Sequence, residues 1–552
     1  MKNQTKEYAK LIRSFWLSKD SLSSWVYLSL LIIISGFLVF TLVYINKLQG
    51  ELFNYVELKD KSSIIQNIME LSLIIVFSMI FFSLKSLFTS LVHFKWRKAM
   101  TKQLISKWLN SKCYFYQKAL IDNPDQRISD DVNYFCENCI TVSLDIFIQI
   151  LTAASFFIIL WNFSAPFHFN FYGNEYTISH YLAWLCLIYA LAVNLFMYWV
   201  GKPIVQLDFQ QKKVEADFRY SLIRFKDHAE EIAFKKGESF EQTIFDYKFS
   251  FIKTNYYKLL KFKFFMTLTQ HGYLSTLSFF PIIASLPLYL SDLIGFGDLM
   301  QINGACIQVL ASLGVLVTSY QSLALLHATK NRLYQFLNQQ SLDDLSGNSN
   351  YQISEKNEFT LENVTIFNQN KESIIKNLSF NVLDGEKVLL MGKSGLGKTS
   401  ILRSLSKIWY NNQGSIKLPN GEIFFIPQKP YFPLSTLKSC LLYPFTNQVD
   451  EIKLAEALRD VHLSDLIPLL NEEKDWCRYL SPGQQQRINF AKILIRKPTI
   501  LVMDEPTSSL DEFHENEMFR LLREKIFKDA TILTISHSSV LKNYHDRCVE
   551  IS

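Results

Sequence analysis

The residues most able to do chemistry form a glycine-rich loop in the last third of the chain. The loop reads Gly392-Lys-Ser-Gly-Leu-Gly-Lys398-Thr399, and it follows a short apolar run and precedes a helical pattern. This is the spacing of a phosphate-binding loop, in which glycines let backbone amides turn toward phosphate oxygens and the next helix adds its positive end. Lys398 is expected to contact the β- and γ-phosphates, and the Thr399 hydroxyl to ligate Mg²⁺. The nucleotide-binding residues predicted here are Gly392, Lys393, Ser394, Gly395, Leu396, Gly397, Lys398, Thr399 and Ser400.

Four further polar residues follow predicted strands. Asp504 and Glu505 end one apolar run, and Gln428 and His537 each end another. Asp504 is placed to hold Mg²⁺ through water, and Glu505 to polarise the attacking water. His537 suits a sensor of the γ-phosphate, and Gln428 can reach both metal and water. The sequence therefore predicts Glu505, His537 and Gln428 as catalytic residues and Thr399, Gln428 and Asp504 as metal ligands; surface acids and an incidental histidine are the alternatives.

A fifth motif decides between these alternatives. Leu480-Ser-Pro-Gly-Gln-Gln-Gln-Arg487 precedes the two acids, and Ser508-Ser-Leu-Asp511 follows them. With all motifs in this order, residues 355–552 resemble the nucleotide-binding domain of ATP-binding-cassette (ABC) proteins. The resemblance implies ATP and Mg²⁺ as cofactors and ATP hydrolysis as the activity. It also implies that Ser481, Gly483 and Gln484 bind the ATP held by the opposite subunit, so that two cassettes close around two ATP molecules.

Two positions of the cassette are less regular. Pro482 stands where the family usually has glycine, so one backbone N–H is missing and φ is fixed. We expect this change to weaken hydrolysis more than ATP binding. Phe367 occupies the place of the aromatic residue that stacks on adenine in the family, with a buried strand residue as the alternative.

The other part of the chain is predicted to lie in a membrane. The 552 residues are 49% hydrophobic and 20% charged, with a mean hydropathy of +0.08, which suggests a membrane part joined to a soluble part. Apolar stretches long enough to cross a ~30 Å hydrocarbon core predict six spans, at about 22–46, 66–88, 141–162, 181–201, 265–290 and 299–321. The predicted fold class is thus an all-α six-span transmembrane domain in residues 1–337, a linker in 338–354, and a cytoplasmic α/β P-loop ATPase domain in 355–552.

Basic residues predict the orientation. The N-terminal tail and the connections 92–139 and 201–263 carry 26 Lys and Arg residues, against 3 on the other side. Both termini are therefore predicted to be cytoplasmic. Topology explains the net charge of +6, so a nucleic-acid partner is not expected. Alternation around residues 173–174 predicts a small outward hairpin in 167–178. The pair Cys136 and Cys139 is interpreted as two small helical residues and not as a zinc site.

Polar strings in the membrane part narrow the resemblance. Asp122-Asn-Pro-Asp-Gln-Arg-Ile128 and Ala229-Glu-Glu-Ile-Ala-Phe234 are similar to hallmarks of peroxisomal fatty-acyl half-transporters and of SbmA–BacA-type bacterial importers. The resemblance implies a homodimeric half-transporter, multi-pass in the bacterial inner membrane, that moves a peptide, cobalamin-like or acyl/lipid-like amphipathic substrate. Its expected partners are a second copy of itself, the lipid bilayer and the transported molecule. The alternatives are an exporter of lipid or peptide, and a nucleotide-gated regulator or leak pathway with weak hydrolysis.

Overall fold

The structure, a computed structural model, describes most of the chain in two compact units. Its described residues are 16–17, 21–110, 124–163, 167–171, 174–318, 320–337, 350–368, 372–393, 395–409, 411–445, 449–526, 528 and 530–551. One unit is formed by residues 1–108 and 120–339, and the other chiefly by residues 340–552.

Long helices build the first unit. They are α1 (Leu22–Leu58), α2 (Lys61–Asn110), α3 (Val132–Phe163), α4 (Tyr181–Asp227), α5 (Ala229–Phe234), α6 (Glu238–Leu290), α7 (Phe296–Thr318) and α8 (Tyr320–Leu337). The 50 residues of α2 extend about 75 Å at 1.5 Å per residue, more than twice the thickness of a ~30 Å hydrocarbon core. Helix α2 therefore continues well beyond the predicted span 66–88, as far as Asn110 in the connection 92–139.

All six predicted spans fall on these helices. Within the described residues, α1, α2, the helical stretch that contains α3, and α4 are long and apolar enough to cross a membrane by length and composition. Helices α6 and α7 have the length, with 53 and 23 residues. The predicted sixth span runs past Thr318 across residue 319, which lies outside the described residues. The count of six therefore stays a prediction.

A buried carboxylate joins the start of α3 to α8. Asp131 ends a π-helical turn (Arg127–Asp131) directly before α3. Its two carboxylate oxygens accept hydrogen bonds of 2.9 and 2.6 Å from the Arg332 guanidinium, and Arg127 donates a third of 2.9 Å. A buried carboxylate needs such partners because burial without them costs several kcal/mol. The polar string that ends at residue 128 therefore leads directly into a link between two helices.

Two short strands confirm the predicted hairpin. Strand β1 (Phe167–Phe171) pairs antiparallel with β2 (Asn174–Ile178), with Phe171 opposite Asn174. The connection at residues 172–173 lies outside the described residues. The two strands stand between α3 and α4, where the sequence places them.

The second unit combines two sheets with helices. Its strands are β3 (Asn350–Ser354), β4 (Phe359–Phe367), β5 (Ser373–Val382), β6 (Lys387–Gly392), β7 (Asn412–Pro419), β8 (Ile423–Ile426), β9 (Ser435–Thr436), β10 (Glu473–Lys474), β11 (Ile500–Asp504), β12 (Thr531–Ile535) and β13 (Arg547–Ile551). Its helices are α9 (Lys398–Leu405), α10 (Leu437–Leu442), α11 (Glu451–Asp460), α12 (Trp476–Tyr479), α13 (Pro482–Arg496) and α14 (Glu512–Lys525). The predicted linker 338–354 is not irregular at its C-terminal end. Residues 350–354 form β3, which pairs with β7.

A five-stranded parallel sheet positions the predicted site. Its order is β13-β6-β12-β11-β8. In the register, Asp504 pairs with Ile535, Ile535 with Leu390, and Met503 with Ile426. The carboxyl ends of four neighbouring strands therefore lie level at one edge, where α/β folds bind ligands.

The parallel sheet is buried on both faces. Alternate residues of β11 enter different cores. Leu501 and Met503 pack with helices α11, α13 and α14, whereas Ile500 and Val502 pack with α9 and the mixed sheet β3-β7-β4-β5. A strand covered on both faces reads as a continuous apolar run, which explains the sequence of residues 500–503. Burial on both sides holds the site edge rigid.

One lysine of α13 is buried in this core. Lys492 is 7% exposed, and its ammonium lies 4.9 Å from the ring centroid of Phe432. Burial lowers the pKa of Lys492 to about 8. The charged form is therefore disfavoured in the folded protein relative to the unfolded chain.

We predict that Lys492→Met stabilises the protein at pH 7. A lysine pKa that falls from ~10.4 unfolded to about 8 folded costs roughly 3 kcal/mol once the pH is below both values. Methionine keeps the apolar stem, so we expect the free energy of unfolding at pH 7 to rise by roughly 1–3 kcal/mol. Because the unfolded lysine loses its proton as the pH approaches ~10.4, the difference should shrink above pH ~8.

The measurement is thermal unfolding of the purified full chain, followed by tryptophan fluorescence at pH 7 and pH 9.5. Lys453→Met, at an exposed position of α11, is the matched control and should leave the midpoint unchanged. An equal rise of the Lys492→Met midpoint at both pH values would contradict the titration argument.

Candidate nucleotide-binding site

The glycine-rich loop connects β6 to α9 in the expected way. Gly395 and Gly397 have φ values of 86° and 85°, a left-handed conformation that glycine adopts without strain. A Cβ atom on Gly397 would lie 2.3 Å from Cγ2 of Ile374, so only glycine fits at this position. Ser394 lies outside the described residues. The remaining loop residues stand where α9 begins, so that backbone amides and the positive helix end face the same place.

Four predicted side chains form one continuous chain of contacts. Nε2 of Gln428 donates a 2.7 Å hydrogen bond to Oε2 of Glu505, and the other oxygen of Glu505 lies 3.3 Å from Nε2 of His537. The same His537 nitrogen is 2.7 Å from Nζ of Lys398. The structure therefore brings together the three predicted catalytic residues and the loop lysine.

Lys398 and His537 share a hydrogen bond. An ammonium only donates, so Nε2 of His537 accepts from Lys398, and the 3.3 Å contact of the same nitrogen with Glu505 is then not a hydrogen bond. Lys398 also donates to the backbone oxygens of Gly392 at 2.6 Å and of Lys393 at 3.3 Å. Burial lowers the pKa of Lys398, and the charges of Glu505 and Asp504 act in the opposite direction. The ammonium is thus held at the loop by two carbonyls, an imidazole and nearby carboxylates.

The predicted metal ligands suit Mg²⁺. Asp504 is 5% exposed, and burial raises the pKa of its carboxyl, while a hydrogen bond with the Thr399 side chain lowers it. This bond places two of the three predicted ligands together. Because the Gln428 amide nitrogen is bound to Glu505, its amide oxygen is free to face a cation. A carboxylate, a hydroxyl and an amide oxygen are hard ligands of the kind that Mg²⁺ prefers.

The backbone of Glu505 is strained. Its φ is 43°, which a non-glycine residue adopts at a cost of order 1–3 kcal/mol. Its N–H donates a 2.8 Å hydrogen bond to the carbonyl of Ile535 on the neighbouring strand β12, which holds this conformation. The turn directs the carboxylate between Gln428 and His537. A strained residue supported in this way is typical of a functional position.

Residues 480–487, here called the signature segment, contain the start of helix α13, which has a capping box. Ser481 is the N-cap, its hydroxyl accepts from the backbone N–H of Gln484, and the Gln484 side chain accepts from the N–H of Ser481. Pro482 is the first helical residue, a position where proline removes an N–H that has no partner inside the helix anyway. Proline therefore does not weaken the helix. The N–H it lacks is one that could otherwise face a phosphate.

Two buried residues missed by the sequence analysis connect these motifs. Gln486 of α13 donates to the Ser508 hydroxyl and accepts from the Ser509 N–H, both at 2.9 Å. Glu515 of α14 accepts from the Thr507 hydroxyl at 2.6 Å and from the Ser538 hydroxyl, next to His537, at 3.0 Å. Gln486 lies inside the signature segment and Glu515 lies on α14. Neither residue carries a sequence signal of its own. Only their burial, 3% and 8% exposed, identifies them.

Phe367 is half-buried at the end of β4. Its backbone carbonyl accepts from the indole N–H of Trp409 at 3.0 Å, and its N–H donates to the carbonyl of Asn411. Both bonds use the backbone, so the ring is available for stacking. Its role toward adenine stays a prediction.

Comparison with known proteins places both units in one family. Residues 12–287, half of the chain, match the family model described as ABC transporter transmembrane region 2. Residues 375–508 match the model described as ABC transporter. The second match contains the phosphate loop, the signature segment and the two acids. The resemblance predicted from the motifs is therefore confirmed.

Three similar proteins agree with this match. The inner membrane ABC transporter ATP-binding protein YddA of Escherichia coli is 27% identical over 99% of this chain and 97% of its own length. The lysosomal cobalamin transporter ABCD4 of Mus musculus is 26% identical over 83% of this chain and 80% of its own. A solved bacterial Atm1-family ABC exporter with ATP bound has a TM-score of 0.79 at 15% identity, covering 96% of this chain and 94% of that one. The predicted fold class, a helical transmembrane domain with an α/β ATPase domain, is confirmed.

We predict that Glu505→Gln retains ATP but hydrolyses it on the order of 100-fold more slowly, the scale of losing a positioned base. Glutamine keeps the contact with Gln428 and a similar shape, so the loss should be in kcat and not in nucleotide affinity. The measurements are phosphate release and equilibrium binding of a fluorescent ATP analogue. Glu512→Gln, exposed on α14, is the control. Undiminished turnover would assign the base to another residue, with His537 the next candidate.

Proposed function

This chain belongs to the ABC transporter family, and on that premise we propose that it is a homodimeric half-transporter of the bacterial inner membrane. A member of this family hydrolyses ATP and couples hydrolysis to transport across a membrane. The observation that supports the proposal is the series of contacts from Gln428 through Glu505 and His537 to Lys398, the residues that we propose bind and hydrolyse ATP. The polypeptide also contains long apolar helices, so both parts of a transporter are present.

The side chains have distinct roles in the proposed cycle. Lys398 and the loop amides bind the phosphates, and Thr399, Asp504 and Gln428 hold Mg²⁺. The metal, when bound, neutralises charge on the β- and γ-phosphate oxygens. Glu505 orients and deprotonates the attacking water, and His537 contacts the γ-phosphate from the neighbouring strand. Ser481 and Gly483 complete the site of the opposite subunit.

The substrate is proposed as a peptide, cobalamin-like or acyl/lipid-like amphipathic molecule. One relative is named a cobalamin transporter and another an inner membrane protein, which supports the amphipathic class and the location. Both termini are proposed to be cytoplasmic on the distribution of Lys and Arg. Export of lipid or peptide is the alternative direction. A nucleotide-gated pathway with weak hydrolysis is a second candidate, favoured by Pro482 at the signature.

We predict that the purified protein, reconstituted in sealed lipid vesicles, shows ATP-dependent flux of one member of a panel of cobalamin, peptides and acyl-CoA. The same compound should stimulate ATP hydrolysis. Lys398→Ala should abolish both without affecting insertion, because it removes a charge directed at the phosphates. Flux that survives this change would reject ATP-driven transport. Nucleotide-dependent flux with negligible hydrolysis would favour the gated pathway.

A second prediction tests the homodimer. Pro482→Gly restores one N–H near a developing phosphate charge. A hydrogen bond to a charged group contributes ~1.5–3 kcal/mol, which would raise the rate of ATP hydrolysis ~10-fold or more. We expect only part of this gain, a several-fold rise in the rate. The informative heterodimer has one Lys398→Ala subunit and one subunit with an intact phosphate loop. Pro482→Gly on the Lys398→Ala subunit should raise the rate of ATP hydrolysis at the intact loop of its partner. Pro482→Gly on the intact subunit should leave the rate unchanged. Equal rates in the two arrangements would reject the action of Ser481 and Gly483 across the dimer.

A further inference from the structure

The carboxylate of Glu515 joins the two segments that follow strands β11 and β12. Its Oε1 accepts a 2.6 Å hydrogen bond from the Thr507 hydroxyl, and its Oε2 accepts one of 3.0 Å from the Ser538 hydroxyl. Thr507 lies two residues after Glu505, and Ser538 directly follows His537. One side chain of α14 therefore holds both segments that carry the residues proposed to activate water and to contact the γ-phosphate.

The surroundings of Glu515 would suit an apolar residue if packing were its only role. Residues three, four and seven positions further along the same face of α14 are fully buried and apolar, namely Met518, Phe519 and Leu522. Glu515 itself is buried, and it forms no ion pair with any described residue. Moving a carboxylate out of water is unfavourable unless hydrogen bonds replace its hydration. The two hydroxyl groups supply those bonds, which favours a role in joining the segments over a role in packing.

His537 lies beyond the strand pairing that fixes β12. The strand ends at Ile535, and the N–H of Ser536 still donates to a carbonyl of β6 at 3.3 Å. After that point, two side-chain contacts hold Ser538: its N–H donates to the Ser536 hydroxyl at 3.1 Å, and its own hydroxyl donates to Glu515. The first contact lies within the turn, whereas the second anchors the turn to helix α14.

The place of the His537 imidazole depends on this anchor. Its Nε2 lies 2.7 Å from Nζ of Lys398 and 3.3 Å from Oε1 of Glu505, while 42% of the side chain is exposed. Packing alone does not confine a side chain exposed to this extent, so the position of its backbone decides where the imidazole lies. A displacement of about 1 Å in a catalytic group can cost ~100-fold in rate.

We propose that Glu515 is a positioning residue for ATP hydrolysis. It acts through Ser538 and holds His537 at the distance from Glu505 that the reaction requires. Both of its hydrogen bonds go to hydroxyl groups outside the phosphate loop and outside the proposed metal ligands, so nucleotide affinity should not depend on it. The inference deepens the proposed function and rests on the role given there to His537.

The test is steady-state ATP hydrolysis by the purified full chain in lipid nanodiscs. We expect Glu515→Ala to lower kcat about 10- to 100-fold, while the KM for ATP and the affinity for a fluorescent ATP analogue change less than about twofold. Glu515→Gln should retain most of the rate, because its amide oxygen can accept from one hydroxyl and its amide N–H can donate to the other. Glu524→Ala, at an exposed position of the same helix, is the control and should hydrolyse ATP like the unchanged protein.

A double-mutant cycle separates positioning from general stability. In a His537→Ala background, Glu515→Ala should cause no further loss of kcat, because the effects of residues that act through one another are not additive. Ser538→Ala removes the same contact from the other side and should lower kcat to a similar extent. This variant keeps the test valid even where Glu515→Ala lowers the yield of folded protein. Binding of the ATP analogue counts the folded sites in each variant.

Three outcomes would overturn the inference. They are an unchanged kcat in Glu515→Ala, an equal loss of kcat with and without the His537 side chain, and a loss in Glu515→Gln as large as in Glu515→Ala. If His537→Ala lowers kcat in the same experiment, any of these results rejects the role of Glu515 alone. Undiminished hydrolysis by His537→Ala would instead reject the proposed role of His537 and, with it, this inference. Hydrolysis is measured without a transported compound, so the flux experiment is unaffected.

Discussion

Hydrogen bonds between parallel strands hold four chain segments level at one edge of the cassette sheet. The pairing of β6, β12, β11 and β8 places the residues that follow Gly392, Ile535, Asp504 and Ile426 side by side. Without this register, Gln428, Glu505, His537 and Lys398 would be separate motifs spread over more than a hundred residues. The cores on both faces of the sheet keep the register fixed, since a shift of one residue would exchange the β11 side chains that fill the two cores.

The same register explains why Glu505 tolerates an unfavourable backbone conformation. Its N–H is bound to the carbonyl of Ile535, so the strand pairing continues one residue past Asp504 before the chain turns. The turn separates the roles of two adjacent carboxylates. Asp504 is buried beside Thr399, whereas Glu505 faces Gln428 and His537. Adjacent acids can thus serve metal binding and water activation.

In the membrane unit, the controlling constraint is the cost of polar groups in hydrocarbon. Most charges lie on the long helical extensions, where water can solvate them, and Asp131 is buried only because Arg127 and Arg332 bind it.

The sequence by itself determined the family, the helical and α/β parts and the hairpin, and it predicted the residues of the nucleotide site. These features are local: a glycine pattern, an apolar run or a four-residue spacing carries its structural meaning within a few residues. The tertiary structure alone decided which residues meet. No sequence motif indicates that Gln486 and Glu515 connect the site segments. Residues 350–354 form a strand because β7 offers an edge for pairing. Pro482 is the first residue of a helix that the Ser481 cap supports. Lys85 and Asp145, sixty residues apart, form an ion pair because two helices pack side by side, and no local pattern specifies such packing.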